Sequence, residues 1–198
     1  MTRTIYHIRH GQTDWNAAAR LQGMQDIPLN ATGRAQADEN GRALARTFAA
    51  EGRSPGEFAY VASPLGRTRE TMERVRAGLG LPRGGYEIVD DLREVSFGAY
   101  EGKTYDDIGR IAPADHAEIL RDKWHFLPPE GESYVMLADR LGRWLATTSG
   151  DMVIVSHGGC FRALRSVIEG IDDPELAHLL VPQDRVFVWR DRHGSWIG

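Results

Sequence analysis

Short apolar runs alternate with longer helix-patterned stretches along this chain, and that alternation leaves few folds open to it. Ile5 to Ile8, Phe58 to Ala62, Tyr86 to Val89 and Met152 to Val155 read as short strands. A helix follows Asn30-Ala31-Thr32-Gly33, with Thr32 as its cap, and runs to about Ala50. A second opens at Ser63-Pro64 and reaches about Gly78; Pro64 suits a first turn, where its missing N–H costs nothing. A third spans Ser133 to about Thr148, and a fourth follows Ser156-His157-Gly158-Gly159 to about Glu169. Arg185 to Arg190 alternates Val186 and Val188 with Phe187 and Trp189, which predicts a final edge strand. Strands alternating with helices imply an α/β domain with a mostly parallel central sheet and helices on both faces.

Residues 97–131 break the pattern. They are rich in glycine and proline, and they read as a lid-like excursion over one end of the sheet with at most short helices. Trp124 and Phe126 are candidates for a substrate mouth there. The reading is one domain over residues 1–198.

Bulk properties exclude several classes. Net charge is −4, from 24 basic against 28 acidic residues, with no basic tail, so a general nucleic-acid binder is not expected. Cys160 is the only cysteine, which forbids an intramolecular disulfide and fits a reducing, cytoplasmic compartment. The start, MTRTIYHIRHG, lacks a signal-peptide core. No run approaches the roughly 20 apolar residues of a membrane helix. The expectation is a soluble cytoplasmic protein without membrane or nucleic-acid partners; a homodimer is left open.

Ligands in such sheets sit beyond the carboxyl ends of the strands. Three chemically capable clusters fall there: Arg9-His10-Gly11, Ser63 to Arg67, and Ser156-His157-Gly158. A neutral imidazole such as His10 can attack phosphorus and carry the phosphoryl group. The attack needs the phosphoryl oxygens neutralised. Arg9 and Arg67 are suitable forks, His157 a further donor, and the N–H groups opening the helix after Gly158 a further source. Gly11 allows close approach of backbone and ligand. Glu94 follows the third strand and can serve as acid to the leaving alkoxide, then as base to water. Taken singly, Arg-His-Gly is a weak motif, Arg67 an ordinary helix residue and Glu94 a loop carboxylate. The joint pattern carries the reading.

That pattern resembles the histidine phosphatase (phosphoglycerate mutase-like) superfamily. Arg9 to Asn16 is similar to its signature, continued by Gln22 to Asn30 and Thr32-Gly33. Ser63 to Thr71, Leu92-Arg93-Glu94 with Phe97-Gly98 and Glu101-Gly102, Pro129 to Ser133 and Val155 to Gly159 resemble the later blocks, in the family's order. The resemblance implies a three-layer α/β/α sandwich, phosphoglycerate mutase-like. It implies His10 as phosphorylated nucleophile, Glu94 as proton donor, and Arg9, Arg67 and His157 around the phosphate, with Asn16, Gln22, Gly23 and Gly158 binding phosphate or substrate. It implies a small phosphorylated substrate, no metal and no cofactor. Thr68, Glu70 and Gln183 depart from the usual Ala, Gln and Asn. The mutases carry a lysine and an adjacent arginine pair after the proton donor. Here that stretch offers Lys103, Arg110, Arg121 and Lys123 without such a pair, which favours hydrolysis. The expected activity is therefore a metal-independent phosphomonoester hydrolase. A cofactor-dependent phosphoglycerate mutase is the alternative, and an inactive phosphate-binding module the second.

Rival chemistries fit less well. Gly102-Lys103-Thr104 looks like the end of a phosphate-binding loop, but Phe97 stands where its first glycine belongs. A cysteine phosphatase built on Cys160 would need an arginine where Ser166 stands. A metal hydrolase on His7, His10 and His157 lacks an evident carboxylate partner.

Overall fold

A computed structural model describes residues 3–190 and 192–198. The chain runs β1 (Thr4–Arg9), α1 (Asp14–Ala17), α2 (Ala31–Ala50), β2 (Ala59–Ala62), α3 (Gly66–Gly78) and β3 (Glu87–Ile88). It continues with α4 (Tyr105–Ile111), α5 (Pro113–Arg121), α6 (Tyr134–Ala146), β4 (Met152–Ser156), α7 (Gly158–Glu169), β5 (Val186–Arg190) and β6 (His193–Ile197). Six strands form one sheet in the order β3-β2-β4-β1-β5-β6. The β3, β2, β4 and β1 strands are parallel, whereas β5 is antiparallel to β1 and β6 to β5.

The period-two rule builds three layers from this sheet. Tyr6, Ile8, Val153, Val155 and Val188 face one core, closed by Leu44 and Phe48 of α2 and Met72 and Val75 of α3. Ile5, Ile154, Phe187 and Trp189 face the other, closed by Leu137 and Leu141 of α6 and Phe161 and Leu164 of α7. Each fully buried large side chain contributes about 1.5–3 kcal/mol through lost contact with water. Because both faces are covered, the central strands read as continuous apolar runs.

Four local expectations are corrected. The α2 cap is Asn30, whose side chain accepts the Gly33 N–H at 2.9 Å, and Thr32 lies inside the helix. Pro64 precedes α3, because Leu65 is the cap residue and the first N–H, of Gly66, is taken by Asp26 Oδ2 at 2.8 Å. A distant loop thus supplies the cap that local sequence lacks. The third strand shrinks to the exposed pair Glu87–Ile88, paired on one side only. The strand at residues 186–190 is not the edge: β6 lies outside it, and both its faces are buried.

The excursion forms its own small core. Tyr100, Ile108 and Ile119 pack there with Phe97 and Phe126. Trp124 instead belongs to the main core and stacks on Tyr134 at 5.5 Å, so it does not line a mouth. No helix among the described residues is long and apolar enough to cross a membrane.

Candidate active site

Register brings the three clusters together. Arg9 pairs with Ser156, and Ala62 pairs with Val155. The next residues are therefore His10, His157 and Ser63, side by side at the carboxyl ends of three parallel strands. His10 N–H donates to Ser156 O at 2.9 Å, and Ser63 N–H to Val155 O at 3.1 Å. The rings of His10 and His157 lie 5.2 Å apart.

His10 is buried, and its Nδ1 lies 2.8 Å from Gly11 O. A carbonyl can only accept, so Nδ1 carries the proton and Nε2 keeps its lone pair. Burial, followed by the Arg67 and Arg9 charges, holds the imidazole well below its ordinary pKa. The ring is neutral at physiological pH. Gly11 serves packing: a Cβ there would stand 2.1 Å from Gly33 O in α2, so its role is contact with that helix rather than with ligand.

Both guanidiniums are fixed from behind. Arg67 donates from Nη1 to Gln25 O at 2.5 Å and from Nη2 to Gly23 O at 2.9 Å. Arg9 donates from Nη1 to Val181 O at 2.8 Å, and burial pushes its pKa down to about 10, still charged at neutral pH. Arg9 Nε and Arg67 Nε are buried without a partner. His157 Nε2 lies 2.8 Å from Ser63 Oγ, and its Nδ1 is likewise unpartnered. A Ser63 hydroxyl donating to Nε2 leaves Nδ1 as a donor. Orphaned buried donors are costly, and their gathering around one pocket is the mark of an anion site.

The pocket has a volume of about 180 Å³ and is lined by Arg9, His10, Asn16, Gln22, Gly23, Arg67, Glu94 and Gly158 among others. Glu94 is held by three backbone donors: Val95 N–H at 3.0 Å and Cys160 N–H at 3.3 Å to Oε1, and Gly159 N–H at 3.1 Å to Oε2. Those helix N–H groups therefore serve Glu94, which corrects their expected use on a phosphate. Arg140 braces the Glu94 loop by donating to Asp91 O and to Arg93 O at 3.2 Å while paired with Glu132 at 2.7 Å. Asn16 spends its Oδ1 on Thr13 and on Gln183 Nε2 at 3.1 Å, inside the α1 capping box. Gln22 is buried with Oε1 unpartnered. Cys160 is buried among Leu92 and Arg93 carbonyls, and burial raises its thiol pKa.

Every anticipated site residue thus lines the pocket or, as His157, lies with its ring 5.2 Å from that of His10. Sequence reasoning missed Arg162, Tyr105 and Tyr134, which also line it, and Gln183, whose Nε2 donates to His10 O at 3.0 Å. Gln183 carried a signal, since the resemblance places it where mutases often have Asn. Lys123 was noted only as part of the excursion, and it too reaches the pocket. Among the described residues, no three His, Cys, Asp or Glu side chains are grouped as metal ligands would be.

The sequence profile of the Histidine phosphatase superfamily (branch 1) matches residues 5–196. The chain belongs to that superfamily. The uncharacterized phosphatase PhoE of Bacillus subtilis is 34% identical over 177 residues, covering 85% of this chain and 78% of PhoE. The probable phosphoglycerate mutase GpmB of Citrobacter koseri is 33% identical over 174 residues, covering 84% and 75%. Among solved structures, the mycobacterial glucosyl-3-phosphoglycerate phosphatase superposes with a TM-score of 0.78 at 27% identity, covering 95% of this chain and 90% of that one. The histidine phosphatase superfamily accounts for both the three-layer fold and the order of the site blocks.

Proposed function

We propose that this chain is a metal-independent phosphomonoester hydrolase acting through a phosphohistidine on His10, with Glu94 as general acid and base. One observation carries the reading: His10 keeps its Nε2 lone pair in a pocket where Arg9 Nε and Arg67 Nε are buried donors without partners. Nε2 attacks phosphorus in line as the ester oxygen departs with a proton from Glu94. Arg9, Arg67 and His157 Nδ1 hold the phosphoryl oxygens, with Asn16, Gln22, Gly23 and Gly158 around them. Water then attacks the phosphohistidine, and Glu94 takes its proton, releasing inorganic phosphate. General acid–base assistance of this kind is worth about 10²–10⁴ in rate.

Hydrolysis is favoured over mutase transfer by the fate of the excursion's cations. Arg110 pairs with Asp107 and Arg121 with Glu118, Lys103 is exposed, and only Lys123 reaches the pocket. The same reading takes residues 1–198 as one catalytic domain, 97–131 as its lid, and the substrate as a small phosphorylated molecule.

The test is turnover of an aryl phosphate with peptide mapping of the quenched enzyme. Phosphate mass on the His10 peptide, no turnover in His10→Ala and full activity under excess chelator are expected. Turnover that survives His10→Ala, or that chelator abolishes, would defeat the reading. A phosphoglycerate mutase rate far above hydrolysis would replace it with the mutase alternative.

A further inference from the structure

No regular element places Glu94. The exposed pair Glu87–Ile88 is the last strand before it, and only a single 3-10 turn at Asp90–Leu92 intervenes. That turn holds itself by Leu92 N–H to Val89 O at 3.1 Å and Arg93 N–H to Asp90 O at 3.0 Å. The carbonyls of Asp91, Leu92 and Arg93 are caught instead by side chains from two helices. Arg140 of α6 donates from Nη1 to Asp91 O and to Arg93 O, the latter at 3.2 Å. The Cys160 thiol of α7 donates to Leu92 O at 3.4 Å and to Arg93 O at 3.1 Å. A thiol is a weak donor and a guanidinium a charged one, so Arg140 is the stronger hold.

Arg140 is itself locked. Its Nε and Nη2 fork onto the two Glu132 oxygens at 3.1 and 2.7 Å, and both side chains are largely shielded from water. A bidentate fork leaves the planar guanidinium one orientation. Glu132 stands at the root of the excursion. Its N–H donates to Ser96 O at 2.8 Å, and Ala99 N–H donates to Pro129 O at 2.9 Å, so the two ends of the excursion are clasped together. A brace therefore runs from that root through Glu132 and Arg140 to the backbone beside Glu94. Neither Arg140 nor Glu132 lines the phosphate pocket.

We infer that Arg140, oriented by Glu132, is a positioning residue for the proton donor: by gripping the carbonyls of Asp91 and Arg93 it fixes where the Glu94 carboxylate stands. The inference rests on the phosphatase reading above, in which Glu94 protonates the leaving oxygen. Proton transfer needs heavy atoms about 2.6–3.2 Å apart, and a displacement of about 1 Å can cost roughly a hundredfold in rate. Phosphate binding is spared, because Arg9, Arg67 and His157 are anchored by other contacts.

The experiment measures kcat and KM on an alkyl phosphate and on p-nitrophenyl phosphate, with vanadate inhibition beside them. It uses the wild type, Arg140→Met, Arg140→Lys, Glu132→Gln and Glu94→Gln. Arg140→Met is expected to lower kcat on the alkyl ester by about a hundredfold and on the aryl ester by about tenfold or less, with KM and vanadate inhibition nearly unchanged. Arg140→Lys, which keeps the charge but cannot span Glu132 and two carbonyls at once, should recover part of the loss. Glu132→Gln should shift the alkyl-to-aryl ratio in the same direction as Arg140→Met, by less. If Arg140→Met does not fold, the ratios of Arg140→Lys and Glu132→Gln decide the matter. A ratio that falls in Glu94→Gln but not in the Arg140 and Glu132 variants overturns the positioning role and leaves the phosphatase reading standing. Equal losses on both esters with weakened vanadate inhibition also overturn it, since they mark a general disturbance of the pocket. A ratio unchanged in Glu94→Gln itself overturns the proton-donor reading on which the inference rests.

Discussion

Glu94 Oε2 accepts the backbone N–H of Gly159 at 3.1 Å, and this bond fastens the proposed proton donor to the helix that begins just after His157. The contact tolerates no side chain at residue 159. A Cβ on Gly159 would stand 2.3 Å from Glu94 Oε1.

Gly159→Ala is therefore expected to displace the Glu94 carboxylate while helix α7 survives, since alanine favours helix. Activity on an alkyl phosphate should fall about a hundredfold or more, the scale of general acid catalysis. The loss on p-nitrophenyl phosphate, whose leaving group needs less protonation, should be smaller. Equal losses on both esters, measured as kcat, would separate Glu94 from leaving-group protonation.

Ser63→Ala removes the hydrogen-bond partner of His157 Nε2, which is fully buried. The ring then loses the hydroxyl that can donate to Nε2 and so favour a proton on Nδ1. Inhibition by vanadate, a phosphoryl mimic, should weaken by about tenfold, and kcat should fall with it. Unchanged vanadate inhibition would show that Ser63 does not set the His157 donor.

Gln183 donates one amide to both His10 O and Asn16 Oδ1. Gln183→Ala should cost about 1–3 kcal/mol of stability, the range for stranding partly buried acceptors. Gln183→Glu should be worse in activity, because a carboxylate would face two oxygens. Thermal midpoints and kcat/KM of the two variants check the order; Glu behaving like Gln would contradict it.

Acid stability follows from the buried histidines. His7 is pushed down to about 3 from an ordinary 6.5, by burial alone. His10 and His157 shift in the same direction. As pH falls, the unfolded chain binds these protons first. The stability from three neutral buried rings is whole above about pH 6.5 and is lost as pH drops towards the folded values, at about 1.4 kcal/mol per pH unit per ring. Urea midpoints should fall steeply below about pH 6.5, and less steeply in His7→Gln. A flat profile from about pH 6.5 to 5 would contradict the neutral assignment.

The alternation of apolar runs and helical patterns was enough to place β1, β2, β4 and β5, the four main helices and both layers of helix. It was enough because period-two and period-3.6 burial are local properties of a sequence. The site blocks were legible for a related reason: Arg9-His10, Ser63 to Arg67 and Ser156-His157 each sit where a strand ends, and parallel strands end together. The β6 strand, His193–Ile197, was missed because an exposed edge strand needs little apolar patterning.

Tertiary structure decided what those residues do to one another. That Glu94 occupies the α7 N–H groups, that Asp26 caps α3 from another loop, and that Gln183 holds His10 all depend on contacts between segments far apart in the chain. Hydrogen-bond partners and desolvation are set by what surrounds a group in space, and no local periodicity encodes them. For the same reason Lys123 is one of four cations in the excursion by sequence, and only the fold carries it alone among them to the pocket.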